Sequence, residues 1–163
     1  AMGGIAAYAE CVSATATFPT VPARDLQGRD VTLPGAFEGR LNVVVVAFRR
    51  DHQRLVDSWV PWLEAQAEAQ PDFRFYEIPT IGRLWAPFRN AIDGGMAAAI
   101  KVPHILARTL TVYGDVSRIT TPLSIDDRST IALFVVDGNG TVLWSGKGGF
   151  TASTAEQIEA VLR

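Results

Sequence analysis

The sequence has one cysteine, Cys11, and only two histidines, His52 and His104. A single thiol cannot close an internal disulfide, nor supply both the attacking and the resolving sulfur of dithiol chemistry. Two histidines far apart in sequence do not make a His-rich metal site. Asp115, with Asp126 and Asp127, offers too few oxygens at the spacing of a calcium loop. No metal or other cofactor is therefore expected. Positive charge is not in excess either: fifteen Lys and Arg stand against seventeen Asp and Glu, a net charge of -2. Bulk electrostatics gives no reason to bind phosphates, so nucleic acid is not expected as a partner. Long apolar runs are also missing. The longest, Leu41–Phe48, contains Asn42 and falls far short of the ~18 residues that span a bilayer. Residues Ile5–Val12 are small and apolar but lack the charged start of a signal peptide. The opening Ala1-Met2-Gly3-Gly4 has the look of an expression scar. A soluble chain is expected, cytoplasmic in preference to secreted, with a processed leader as the alternative. The oligomeric state is left open.

What is present is enough for a core. The chain has 163 residues, 48% hydrophobic and 20% charged, which suits one globular domain and rules out a wholly disordered chain. Residues 1–17, rich in Ala, Thr and Ser, are expected to be weakly structured, and 18–163 to form the domain. Val21–Leu26 and Asp30–Leu33 flank Gln27-Gly28-Arg29 and predict a hairpin. Leu41–Phe48 is β-branched without alternation, the pattern of a strand buried on both faces. The polar run Arg49–Arg54 follows. Leu55, Val56, Trp59, Val60, Trp62 and Leu63 then recur at helical spacing. Pro61 lies inside that helix and is expected to kink it, and Pro71 to end it. Phe73–Ile78 predicts a strand. Leu84–Asn90, Met96–Ile100 and His104–Leu110 predict helical pieces. Leu110–Tyr113 predicts a strand and Val116–Leu123 a short helix. Ile131–Val136 is a second buried strand, turned at Asp137-Gly138-Asn139-Gly140 into Thr141–Trp144. Gly146–Gly149 is expected to be loop. Ser153-Thr154-Ala155-Glu156 reads as a capping box opening a last helix, with Ile158, Val161 and Leu162 on its apolar stripe.

This order, hairpin, strand, helix, strand, helices, strand, hairpin, helix, resembles the thioredoxin fold, a three-layer α/β/α arrangement around a mixed sheet, with an added N-terminal hairpin. In thioredoxins a buried strand ends in an aromatic, Cys-x-x-Cys opens the next helix, and a kinking proline follows five residues after the second cysteine. Phe48 resembles that aromatic and Pro61 that proline, which places Gln53 and Val56 at the two cysteine positions. The cis-proline that faces the site in thioredoxins corresponds to Ile131. Neither glutamine nor valine can exchange disulfides, so the resemblance implies the fold without the thiol chemistry. A narrower resemblance runs over about 105–160. Thr111–Ser117, Leu123–Asp126, Phe134–Asp137 and Leu143–Gly148 are similar to the mitochondrial ATP synthase assembly factors. So is the pattern of Asp137, Trp144, Gly146, Gly148, Ala155 and Glu156. Those proteins are thioredoxin-like chaperones of a membrane-sector subunit, which implies a protein or peptide partner.

The candidate binding site is the pole where thioredoxins keep their chemistry: Arg49, Arg50, Asp51, His52, Gln53 and Val56, with Ile131 opposite. Arg49 and Arg50, with the nearby Arg54 and a helix amino terminus, favour negative charge there. The plainer reading is a solvated loop with Asp51 capping the helix. Ile131 in place of proline is expected to make the pole stickier, and the pole to stand clear of the protein's own loops. A partner peptide could lie there by backbone pairing. No catalytic residue is assigned. Two enzymatic alternatives stay open: non-thiol chemistry by His52 with Asp51 or Asp57, and a peroxidase using Cys11. Trp59, Trp62, Trp85 and Trp144 are candidates for a partner surface, with at least one of Trp59 and Trp62 expected in the core. Gly140–Gly148 is not a phosphate loop, since no Ser or Thr follows Lys147 and no helix follows at once. The edge strand near Thr141 could support pairing between copies.

Overall fold

The computed structural model describes residues 16–82 and 108–163. Seven strands form one sheet: β1 (Val21–Asp25), β2 (Asp30–Leu33), β3 (Leu41–Ala47), β4 (Phe73–Gly82), β5 (Leu110–Gly114), β6 (Ala132–Asp137) and β7 (Val142–Lys147). Their spatial order is β2-β1-β5-β4-β3-β6-β7. Strands β3, β4 and β5 run parallel, while β1, β6 and β7 join antiparallel to their neighbours. Three described helices accompany the sheet: α1 (Gln53–Ala69), α2 (Ser117–Thr120) and α3 (Ala152–Leu162). The expected helices at Leu84–Asn90 and Met96–Ile100, together with Trp85 and Cys11, lie outside the described residues. Most of His104–Leu110 does too, and Leu110 itself opens β5.

Burial explains the unbroken apolar runs. Every residue of β3 is buried, because the strand is central and covered on both sides. On one side Val43 and Val45 pack with Val56, Trp59 and Leu63 of α1 and with Ala155, Ile158 and Leu162 of α3. On the other, Val44 and Val46 pack with Phe18, Phe37, Tyr76, Ile119 and Leu123. Asn42 is tolerated inside β3 because its side chain is fully bonded. Its amide donates to Gly39 O at 2.9 Å and Val136 O at 3.1 Å, and its oxygen accepts from Gly39 N at 2.8 Å. The first hairpin forms as expected, its turn held by the buried Asp25 carboxylate. That group accepts from the N–H groups of Gln27 and Arg29, both at 2.9 Å, and from Arg29 Nε at 2.7 Å.

Five local expectations are corrected. Strand β4 runs past Ile78 to Gly82. Gly146 and Lys147 belong to β7 rather than a loop: their backbones pair with Leu133 and Ala132. The last helix is capped by Thr151, whose hydroxyl accepts from Thr154 N at 3.1 Å, and not by Ser153 with Glu156. Asp51 does not cap α1: the cap position is His52, with no side-chain cap bond. The edge at Thr141 is not free, because Thr17 bridges it and Val142 N donates to Ala16 O at 2.9 Å.

Candidate functional site

The site is built where β3 ends and α1 begins. Ala47 is the last residue of β3, a 3-10 turn spans Arg50–His52, and α1 starts at Gln53. Arg49, Arg50, Asp51 and Gln53 are exposed on this pole. His52 is not: only 2% of it is accessible. Its Nδ1 accepts from Phe48 N at 3.1 Å, which ties the turn back to the strand end. In the neutral ring the proton then lies on Nε2, and that atom is buried without a hydrogen-bond partner among the described residues. Such an orphan costs roughly 1–3 kcal/mol of stability. Neither Asp51 nor Asp57 bonds to it; Asp57 instead accepts from Gln53 Nε2 at 2.9 Å. The acid–base pairing imagined for His52 does not form in this arrangement.

Val56 is buried, one turn in from Gln53, among Val45 and its neighbours. Ile131 lies just before β6 with no accessible surface, and its carbonyl accepts from Gly148 N at 3.0 Å. Its side chain therefore adds nothing sticky to the exterior, contrary to expectation. Exposed apolar surface comes from a residue that the sequence did not single out, Phe150, which is 40% accessible. The segment Gly148–Phe150 packs alongside α1. Gly148 takes φ +94°, open to glycine, and its carbonyl accepts from Trp59 Nε1 at 3.0 Å. A Cβ at Gly149 would come within 3.2 Å of the Leu55 side chain and 3.3 Å of Ser58 Oγ, a close approach that a larger residue would fit only if those side chains gave way slightly. Phe150 N donates to Ser58 Oγ at 2.9 Å, and its ring meets Trp59 edge-on at 5.1 Å. The protein's own chain thus packs against the Ser58–Trp59 side of the pole, while Arg49, Arg50, Asp51 and Gln53 stay exposed. Trp59 is core, with no accessible surface. Trp62 and Trp144 are half-buried, donating to Glu159 at 3.2 Å and Gln157 at 3.3 Å.

Sequence reasoning also missed Glu77. It sits on β4, paired with Val45 and bridged to Thr109. Alternation marked it only as the polar side of a strand; its nearness to Asp57 is a tertiary fact. Burial, and next the Asp57 carboxylate, push its carboxyl up to about 7, while a hydrogen bond from Gln53 acts against them. A small cavity of about 40 Å³ lies beside it, lined by Val45, Val56, Val60, Phe75 and Arg108 among others. That volume holds about one water and no metabolite. A larger hollow of about 340 Å³ lies away from the pole, against β1, β2 and β5, with Arg24, Asp30 and Thr111 in its wall.

Solved structures with the same architecture cover nearly the whole chain. A thiol:disulfide interchange protein from Bacteroides sp. superposes with a TM-score of 0.61 at 15% identity, over 90% of this chain and 88% of the other. The chain has the thioredoxin fold. A putative thiol:disulfide interchange protein DsbE from Chlorobium tepidum gives 0.56 at 15% identity, covering 91% and 94%. BsSco, a member of the Sco family of cytochrome c oxidase assembly proteins, gives 0.59 at 10% identity, covering 90% and 94%. No protein-family pattern matches the sequence, and no curated protein matches it either. In this thioredoxin fold Gln53 opens α1 and Val56 lies buried one turn on, so the helix start carries no sulfur at either position.

Proposed function

We propose that this chain is a thioredoxin-fold domain without thiol–disulfide exchange, and that it binds a protein or peptide partner at the open pole, Arg49–Gln53. The observation that carries the reading is the pair Gln53 and Val56 at the start of α1, where disulfide exchange on this fold would need two thiols. The exposed polar rim beside the half-exposed Phe150 supports a binding surface, since aromatic groups within a polar rim suit protein contacts. Among the described residues the cavity that reaches Val56 is only about 40 Å³, too small for a metabolite, which favours a partner. An assembly role is the finer form of the reading. It rests on the resemblance of the C-terminal half to the ATP synthase assembly factors, and the Sco neighbour supplies a case of an assembly protein on this fold. The basic helix start favours an acidic or backbone-presenting segment over a cationic one.

The test pairs a loss with a gain. Wild type is expected to be inert in insulin-disulfide reduction and in peroxide consumption. The double substitution Gln53→Cys with Val56→Cys is expected to reduce insulin, because the helix start and its spacing are already in place. Peroxide consumption by wild type that disappears in Cys11→Ser would overturn the reading.

A further inference from the structure

We propose that His52 is an acid-labile tie on the pole: its neutral ring holds the Arg49–Asp51 turn onto the end of β3, and uptake of a proton by that ring releases the turn. The geometry is a backbone bond that only one protonation state allows. Phe48 N donates to His52 Nδ1 at 3.1 Å, so Nδ1 must offer a lone pair. In the imidazolium both ring nitrogens are donors, and Nδ1–H would face Phe48 N–H donor to donor. The bond closes a short loop that carries Arg49, Arg50 and Asp51. His52 N donates to Arg49 O at 3.1 Å inside the same loop, and the Phe48 and His52 rings meet edge-on at 6.5 Å. Neither the 3-10 turn nor α1 has a side-chain cap, so among the described residues the Nδ1 bond is the turn's side-chain fastening.

The ring's present seat offers a positive charge nothing. His52 is buried, and Nε2 meets no acceptor among the described residues. A charge there loses water without gaining a counter-charge. The groups around it can be named element by element. On the turn, Arg49 and Arg50 are exposed cations, and Asp51 is an exposed anion that makes no bond to the ring. On α1, Arg54 is a further exposed cation, and Asp57 accepts from Gln53. The ring also sits at the positive end of that helix, which disfavours a cation. Beside the end of β3, β4 sets Pro79 against Ala47 and β6 sets Ala132 against Val46, none of them titratable. The titratable residue of β4 in this register is Glu77, opposite Val45. Among the described residues no ion pair reaches His52. A proton taken from solvent onto Nδ1 therefore breaks the Phe48 bond, and the ring regains hydration only by swinging outward with its turn. Histidine is the side chain suited to such a change near neutrality. Arg49 and Arg50 ride on the turn, so acid loosens the surface assigned to a partner. That consequence rests on the binding reading; the tie itself does not, and the two can fail separately.

The experiment is a pH titration of the full chain by NMR, from neutral into mildly acidic solution. It follows the His52 ring nitrogens, the backbone amides of Phe48–Gln53, and hydrogen exchange at Phe48. At the neutral end Nδ1 is expected to read as unprotonated and Nε2 as protonated. Through the ring's midpoint the Phe48 amide is expected to move upfield and to lose protection about fivefold or more, as one hydrogen bond goes. His52→Asn places a carboxamide oxygen near the position of Nδ1 and does not titrate, so its Phe48 amide is expected to stay protected throughout. Glu77→Gln, which removes the carboxyl held at about 7, is expected to leave the transition in place. A Phe48 amide that stays still while the ring titrates would overturn the tie. So would a ring that stays neutral until the whole chain unfolds, a transition that persists in His52→Asn, or one that vanishes in Glu77→Gln. If His52→Asn does not fold, the wild type decides alone: ring and amide must share one midpoint. None of these outcomes touches insulin reduction or peroxide consumption, where the binding reading stands or falls.

Discussion

Helices α1 and α3 share one face of the sheet and begin in opposite ways. α3 opens on an extended Thr151 whose hydroxyl accepts from Thr154 N, the ordinary way to satisfy a free helix N–H. α1 opens through a 3-10 turn into a cap position held by a buried His52, with no side-chain cap and an unpartnered ring nitrogen. The same chain can therefore make a good helix start and does not make one at the pole. What holds α1 lies further along: Trp59 is wholly buried, donates to Gly148 O, and meets the Trp62 and Phe150 rings edge-on. The contrast separates a helix end fastened for stability from one that is anchored behind and left open in front. That is how binding poles are commonly arranged on rigid scaffolds.

The contrast ranks four substitutions. Trp59→Ala should have the largest effect, a loss of roughly 3–5 kcal/mol in denaturant unfolding, since it leaves a large void and strips Gly148 O of its donor. A loss under about 1 kcal/mol would mean that α1 is not anchored at its middle.

Glu77→Gln comes next, and its effect depends on pH. The folded-state carboxyl is held at about 7 against an ordinary 4.5, so between those values the folded protein binds more protons than the unfolded chain. Stability from this group is present in full below the ordinary value and is lost as pH rises through about 7. The wild type should lose on the order of 2 kcal/mol across that window relative to Glu77→Gln, less than the full linkage value because the side chain keeps some contact with water. Parallel unfolding curves for the two proteins over the window would break the expectation.

Much of this contrast was legible in the sequence, and the parts that were not share a cause. The unbroken run Leu41–Phe48, the turn at Asp137 and the stripe through Trp59 are local patterns, and each became the element it predicted. The sheet arrangement followed from their order. Thr151 was missed because Thr151-Ala-Ser-Thr and Ser153-Thr-Ala-Glu are overlapping cap signals. The register is set by a neighbour in space, with Phe150 N donating to Ser58 Oγ across the gap to α1. Ile131 looked like exposed apolar surface because the aligned position faces the site; here its side chain is sealed in and Gly148 takes its carbonyl. Glu77 was invisible for the plainest reason: nothing along the chain says that residue 77 will lie beside residue 57.

Thr151→Ala and Asp51→Ala set the two helix starts side by side. Removing the Thr151 hydroxyl should cost about 1 kcal/mol, the usual value of a cap, because Thr154 N then has no side-chain acceptor. Asp51→Ala should stay within about 0.5 kcal/mol, because Asp51 is exposed and gives no cap bond to α1. Any residual loss should come from the favourable charge of a carboxylate near a helix amino terminus, and so should shrink as salt is added. Chemical unfolding at low and high salt measures both. If Asp51→Ala instead cost as much as Thr151→Ala and kept that cost in high salt, Asp51 would be making a specific cap in solution. The open helix start would then be no different in kind from the closed one.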